Sequence, residues 1–282
     1  MGKYLEKAAS PQVLNHAWRY LRNDRSPWQR GLSVEDMQKN LIRHVGEVSE
    51  QLLAGKFRPE KMRCYEVDKA DGNKRLICAS AVRDKLVQRA ILTVLEPLGE
   101  AIFHDFSLGF RAQFTLDMAL AKVRELVRKG YIWLGDADVK GCFDNIPYGQ
   151  TLKKLQKLCG DKELVNLVRY SIESQPDKFR PSGRGRGLPQ GMVLSPFLCN
   201  LHLHELDCFL QSNKIPFVRF ADDFILFAEN EAGAQQALQL AEKQLKKLGL
   251  ALHPDKTRVI RSSNRHRFLG KRLPNSKPRF QL

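Results

Sequence analysis

Two adjacent carboxylates, Asp222 and Asp223, sit between the apolar runs Phe217-Val218-Arg219-Phe220 and Phe224-Ile225-Leu226-Phe227. The layout predicts a β-hairpin with acids at its tip. Neighbouring acids in so apolar a setting repel each other and lose solvation, so a positive partner is needed. A divalent cation shared with a third carboxylate would meet that need. Hard cations such as Mg²⁺ take oxygen ligands and bring substrate phosphates with them, which points to phosphoryl transfer. An Asp-Asp pair taken alone is most often an ordinary turn pair.

Several elements must position such a site. Residues 1 to about 60 read as polar helices carrying Trp18, Tyr20 and Trp28, either as an amphipathic face or as a basic, aromatic nucleic-acid contact. Residues 62–69 alternate like a strand, Asp71-Gly72-Asn73 supplies turn chemistry, and Lys74 to Cys78 begins a second strand. Helical spacing of apolar residues marks 82–98 and 112–129 as core-facing helices. The apolar stretch Tyr131-Ile132-Trp133-Leu134 then runs into Asp136-Ala137-Asp138, so carboxylates end a buried strand. Residues 151–173 predict one or two helices, Pro181 to Gly187 a flexible basic loop, and Ser195 to Leu210 a further helix. After the acidic hairpin comes an amphipathic helix over 232–248, with strand-like pieces at 250–260 and 266–273. Mixed strands, helices and hairpins predict an α+β fold rather than a doubly wound sheet.

The 282 residues carry 47 Lys and Arg against 31 Asp and Glu, a net charge of +16 that fits a polyanionic partner or a generally basic surface. No apolar run is long enough to span a bilayer and the start lacks a secretory core, so no membrane role is expected. The six cysteines are scattered without a C-x-x-C pair and read as reduced thiols of a cytoplasmic protein. His202 and His204 lack partners at zinc-ligand spacing and read as structural or surface residues.

From about residue 60 to 273 the blocks resemble reverse transcriptases, in particular the bacterial group II intron-like branch. The blocks are the hairpin Lys69 to Arg75 with Asp84 and Gln88; Ser107-Leu108-Gly109-Phe110-Arg111; and Asp138-Val139-Lys140-Gly141-Cys142-Phe143-Asp144. They continue with Leu188-Pro189-Gln190-Gly191 followed by Leu194-Ser195-Pro196 and Asn200; Phe220-Ala221-Asp222-Asp223; Leu248-Gly249-Leu250 with Lys256-Thr257; and Phe268-Leu269-Gly270. The resemblance implies the fingers and palm of a right-hand polymerase, an antiparallel sheet packed on helices. It divides the chain into an N-terminal helical extension (1–60), fingers (61–130), a palm (131–273, with a fingers-like insertion near 150–187) and a tail (274–282). Twelve residues follow Gly270 (282 − 270), so a thumbless core is implied.

The same resemblance implies roles. Asp138, Asp222, Asp223 and the Val139 carbonyl would hold two Mg²⁺ ions, with Mn²⁺ able to substitute. Lys69 and Arg75 would grip the triphosphate, with a solvated hairpin surface as the alternative for both. Phe143 would exclude a 2′-hydroxyl from the incoming nucleotide, its alternative being core packing. Gln190 would touch the nucleotide and Gly191 would permit close backbone approach. Lys256 would protonate departing pyrophosphate, or else be merely solvated. Phe268, Leu269 and Gly270 would form the primer grip.

The implied function is RNA-directed DNA synthesis from deoxynucleotides on an RNA template, with a DNA or RNA primer. A protein partner would supply a thumb-like or integrase function, in a bacterial defence or CRISPR spacer-acquisition setting. A group II intron-derived, maturase-like RNA-binding protein and a template-independent nucleotidyltransferase are the alternatives. Phe220 stands where the family commonly has Tyr, and Leu76 where group II proteins often have Pro.

Overall fold

In chain order the structure runs through α1 (Lys3–Ala9), α2 (Pro11–Arg19), α3 (Val34–Gln38), α4 (Leu41–Leu53), β1 (Arg63–Asp68), β2 (Lys74–Ala79) and α5 (Val82–Glu100). It continues with α6 (Leu116–Arg128), β3 (Trp133–Asp138), α7 (Cys142–Asn145), α8 (Tyr148–Cys159), α9 (Lys162–Glu173) and α10 (Ser195–Ser212). Next come β4 (Phe217–Phe220), β5 (Asp223–Ala228), α11 (Glu231–Lys247), β6 (Arg258–Arg261), β7 (Arg267–Phe268) and β8 (Lys271–Arg272). The computed structural model describes residues 2–68, 72 and 74–275. The chain divides into two compact units, Met1–Ile102 with Pro147–Leu201 and Phe103–Ile146 with His202–Leu282. Residues 103–130 thereby group with the acid-bearing sheet, and 147–201 with the N-terminal helices.

The first unit is built around α5. Leu86, Val87, Ala90, Ile91, Val94 and Leu95 bury about half of its circumference, and Val82, Gln88 and Leu92 widen the buried arc on either side. A helix apolar on so many sides must be surrounded, and α1, α2, α8 and α9 pack around it. Asp161 ties two of these helices together. Its Oδ2 accepts the Tyr4 and Leu5 amides at the start of α1, while Oδ1 accepts Leu164 N at the start of α9. One buried carboxylate thus satisfies amide groups at two helix N-termini, where negative charge is favoured. Trp18 and Trp28 meet edge to face in this core, which decides between their two readings in favour of packing. Tyr20 stays exposed, with the Arg89 guanidinium 4.2 Å from its ring centroid.

β1 and β2 form an antiparallel hairpin in the same unit. Cys64 pairs with Cys78 across it and the two are joined as a disulfide. The expectation of reduced thiols is therefore corrected for these two residues. Cysteine spacing along the chain does not reveal a cross-strand pair, because only the register brings the two sulfurs together. Cys142, Cys159, Cys199 and Cys208 take no part in a disulfide.

The second unit carries a four-stranded antiparallel sheet in the order β4-β5-β3-β6. Side chains alternate between the two faces. On one face Leu134, Val218, Ile225, Phe227 and Ile260 join Leu120, Val123 and Val127 of α6 in a single core. The other face is covered by α11. There Gly135 leaves room for Leu238: a Cβ at Gly135 would stand 2.7 Å from Leu238 Cγ. Mixed helices with an antiparallel sheet are the α+β arrangement expected from the sequence.

Candidate active site

Period-two alternation carries the core-facing side of the sheet directly into a cluster of charges. Register pairs Leu134 with Phe227, Asp136 with Ile225, and Asp138 with Asp223. The face that is apolar at one end therefore presents Asp136, Asp138 and Asp223 at the other. Asp222 lies beside them in the two-residue turn joining β4 to β5, since Phe220 pairs with Asp223. Asp138 and the adjacent pair Asp222-Asp223, distant from it in sequence, are brought to one end of one sheet.

Cations from the β6 side answer these acids. Lys256 Nζ donates to Asp138 Oδ2 at 2.9 Å, and the Arg258 guanidinium lies 3.2 Å from Asp136 Oδ2. The segment carrying Lys256 is stitched alongside Asp138: Lys140 N donates to Ala251 O, and His253 N to Asp138 O. Val139 is buried and bridges to Leu252. Surrounding protein atoms desolvate the Asp223 carboxyl although part of it remains exposed, and Asp222 and Asp138 add like charge. Together they push Asp223 up to about 6, with Lys256 pulling the other way. Burial raises Asp136 as well, and Arg258 offsets part of that rise.

Among the described residues, no three His, Cys, Asp or Glu side chains converge closely enough to share one metal ion. The donor chemistry nevertheless fits a hard divalent cation. The set is carboxylate oxygens of Asp138, Asp222 and Asp223 with a backbone carbonyl at Val139, and the like charges of Asp222 and Asp138 both act on Asp223.

The segment Ser107 to Arg111 supports the hairpin tip from its edge. Leu108 N donates to Arg219 O and Arg219 N to Phe106 O, so the segment runs as an added edge beside β4. Gly109 has no room for a side chain: a Cβ there would stand 2.2 Å from Ala221 N. Phe110, at φ +62°, turns its ring edge to face against Phe143, with centroids 5.9 Å apart. Arg111 Nη1 donates to the His104 and Ser107 carbonyls and fixes the loop's curl. Phe143 itself lies on α7, which opens at Gly141 in the left-handed region at φ +52°. Phe268 enters the core of the same unit, and Leu269 and Gly270 both take positive φ in the turn joining β7 to β8. Positive φ at both central positions is what a type I′ hairpin turn requires.

The remaining expected residues belong to the first unit. Arg75 is exposed on β2 opposite Val67. Gln190 and Gly191 lie along the same strand: Cys78 N donates to Gln190 O at 2.7 Å, and a Cβ on Gly191 would meet Cys78 O at 2.6 Å. Gly191 at φ +102° is the residue type that both the space and the backbone demand. Gln88 Oε1 accepts Val193 N, and Ser195 Oγ donates to Pro189 O, which anchors the loop from behind. Lys69 lies outside the described residues.

Sequence reasoning passed over four residues. Asp136 and Arg258 form a charged pair next to Asp138. Asp136 was legible as the residue two before Asp138 on a strand, hence on the same face. Arg219 and Asp207 are both buried and paired. The available signal was an arginine inside an otherwise apolar strand, which must find a counter-ion.

Residues 67–273 match the family model described as reverse transcriptase (RNA-dependent DNA polymerase). Protein YkfC of Escherichia coli is 26% identical over 300 aligned residues, covering 90% of this chain and 77% of that protein. The group II intron-encoded protein LtrA of Lactococcus lactis is 24% identical, covering 92% of this chain and 54% of that protein, so the chain spans about half of LtrA's length. Among solved structures, a chain of a partial Cas6-RT-Cas1–Cas2 complex superposes over 86% of this chain and 41% of its own with a TM-score of 0.50 at 24% identity. A chain of the telomerase of Candida albicans superposes over 82% of this chain and 48% of its own with a TM-score of 0.52 at 16% identity. These likenesses establish a shared fold. Enzymes of this kind use divalent metal ions, in keeping with the oxygen donors above, and no helix of the described residues is long and apolar enough to cross a membrane. The match over most of its length means that the chain belongs to the reverse transcriptase family, the RNA-directed DNA polymerases.

Proposed function

We propose that this chain adds deoxynucleotides to a primer 3′-hydroxyl on an RNA template by two-metal catalysis at Asp138, Asp222 and Asp223. The observation that carries the reading is the register of β3 on β5, which sets Asp138 opposite Asp223 with Asp222 in the adjoining turn. Asp138, Asp222 and Asp223 would hold the divalent cations, which when bound would lower the pKa of the 3′-hydroxyl and neutralise charge on the attacking and leaving oxygens. Lys256 donates a proton to departing pyrophosphate. Phe143, braced by Phe110, screens the sugar of the incoming nucleotide. Arg75 grips the triphosphate and Gln190 touches the nucleotide, with Lys69 assigned to the same task by motif. Phe268, Leu269 and Gly270 hold the primer end. The unit bearing the sheet is the palm, and the hairpin β1–β2 with its neighbouring helices is the fingers.

Primer extension on an RNA template with Mg²⁺ or Mn²⁺ tests the reading. Extension is expected from the parent and lost in Asp222→Ala and Asp223→Ala. Extension that persists in the double variant would refute the assigned site, and extension without template would favour template-independent nucleotidyl transfer. The likeness to the Cas6-RT-Cas1–Cas2 chain supports a setting in bacterial defence, where an integrase-type partner receives the cDNA. Co-purification with the products of neighbouring genes checks that assignment.

A further inference from the structure

The turn that carries Asp222 is an unusual one to build from its own residues. Ala221, at the first of its two central positions, has φ +62°. An L-residue with a Cβ disfavours that region, and hairpin turns that need it usually place Gly, Asn or Asp there. Something outside the turn must therefore hold it.

Arg219 does so from within the protein. Its side chain and that of Asp207, on α10, are both essentially inaccessible to solvent, at 1% and 0% exposure. Nε donates to Asp207 Oδ1 at 2.8 Å and Nη2 to Asp207 Oδ2 at 2.5 Å, a bidentate fork. The third nitrogen is aimed elsewhere: Nη1 donates to Ala221 O at 2.8 Å, on the peptide that leads directly into Asp222. Arg219 is also fixed through its own backbone, between Phe106 O and Leu108 N. A planar guanidinium held by two bonds to a carboxylate has no freedom left in the direction of its third donor. A buried ion pair is weak support for stability as such, because desolvation consumes much of its Coulomb energy. Its geometry here serves position.

We propose that the Arg219–Asp207 pair is a positioning device for the metal-binding acids: it fixes the Ala221 carbonyl, holds the left-handed turn, and thereby sets where Asp222 presents its carboxylate. This rests on the polymerase reading of Asp222. Arg219 touches no substrate in the scheme and acts only through the turn. Lysine cannot replace it, since one ammonium cannot fork onto Asp207 and also reach Ala221 O along a fixed direction.

The test compares the parent with Arg219→Lys and with the near-isosteric Asp207→Asn, each assayed per folded molecule. Outer partners of metal ligands typically set metal affinity by 10- to 100-fold. Mn²⁺ affinity, read by paramagnetic resonance titration of the purified chain, is expected to fall about 10-fold in Arg219→Lys. Amide exchange of the 220–224 segment in metal-free protein is expected to rise, while exchange in α6 and α11 stays at the parent level. Single-turnover incorporation is expected to fall roughly 10- to 100-fold with KM for the deoxynucleotide within about twofold. Asp207→Asn, which keeps one acceptor but loses the charge, should show the same pattern more weakly. Unchanged Mn²⁺ affinity and unchanged local exchange in Arg219→Lys would overturn the proposal, as would exchange rising equally throughout the unit. If the parent does not extend primers at all, the polymerase reading fails, while the metal and exchange arms still decide on the positioning role.

Discussion

Lys256 reaches Asp138 across the end of the sheet, Nζ to Oδ2 at 2.9 Å, from a segment hydrogen-bonded to the same strand end. A largely exposed ammonium on a candidate metal-binding carboxylate is placed to exchange partners when phosphate arrives. Lys256→Ala is expected to slow single-turnover nucleotide incorporation by about 100-fold, within the range of a positioned general acid. Lys256→Arg should keep charge balance at Asp138 while recovering little of the rate. An unchanged rate in Lys256→Ala would remove Lys256 from the chemistry.

Phe143 and Phe110 meet edge to face at 5.9 Å, so the orientation of one ring depends on the other. Phe143→Ala is expected to raise incorporation of ribonucleotides relative to deoxynucleotides by 10-fold or more, on the order of the 1–3 kcal/mol that pocket fit can supply. Phe110→Ala should move the ratio in the same direction by less. Competition assays with matched nucleotide pairs measure both, and an unaltered ratio in Phe143→Ala would return Phe143 to simple packing.

Gly109 of the Gly-Phe-Arg segment packs directly against the backbone of the acidic turn. The alanine methyl of Gly109→Ala would stand 2.2 Å from Ala221 N and 2.8 Å from the Phe220 carbonyl carbon, both backbone atoms that cannot rotate away. The variant should lose about 1–3 kcal/mol in urea unfolding, the usual penalty of overpacking. Activity per folded molecule should fall too, because relief of the clash must shift the turn bearing Asp222.

Asp84, at 2% exposure, is pushed up to about 6, chiefly by burial, although Arg83 and the Glu60 amide favour its charged form. Below pH 3.8 the group is protonated in both folded and unfolded chains. Between 3.8 and about 6 only the unfolded chain ionises, so its stabilising contribution is lost as pH rises through that window. The loss is on the order of 3 kcal/mol by pH 7. Asp84→Asn keeps an oxygen for Glu60 N and removes the titration. Its melting temperature, compared with the parent in metal-free buffer, should gain on it between pH 4 and pH 7. A constant difference across that range would show that Asp84 does not titrate there.

Much of the site was legible because it depends on local pattern. The apolar runs flanking Asp222 and Asp223 read as the two strands of a hairpin, and strand periodicity placed Asp138 at the end of a buried strand. The motif blocks supplied the residues to match, and the helices over 82–100, 116–128 and 231–247 follow the spacing of their apolar residues closely. Register, long-range pairing and the partners of buried charges were not legible. Cys64 and Cys78 meet only because β1 and β2 align in one register out of several. Arg219 read as one residue of a strand, yet its role depends on Asp207 twelve positions earlier on a helix and on a carbonyl two positions later.

By itself the sequence determined which residue types could do chemistry and on which kind of element each would sit, because propensity and periodicity are properties of neighbours along the chain. The tertiary structure alone decided that Asp138 faces Asp223, that Lys256 and Arg258 answer the acids, and that Gly109 and Arg219 brace the turn between them. Those relationships come from hydrogen-bond register and close packing between segments far apart in sequence, which no local pattern encodes.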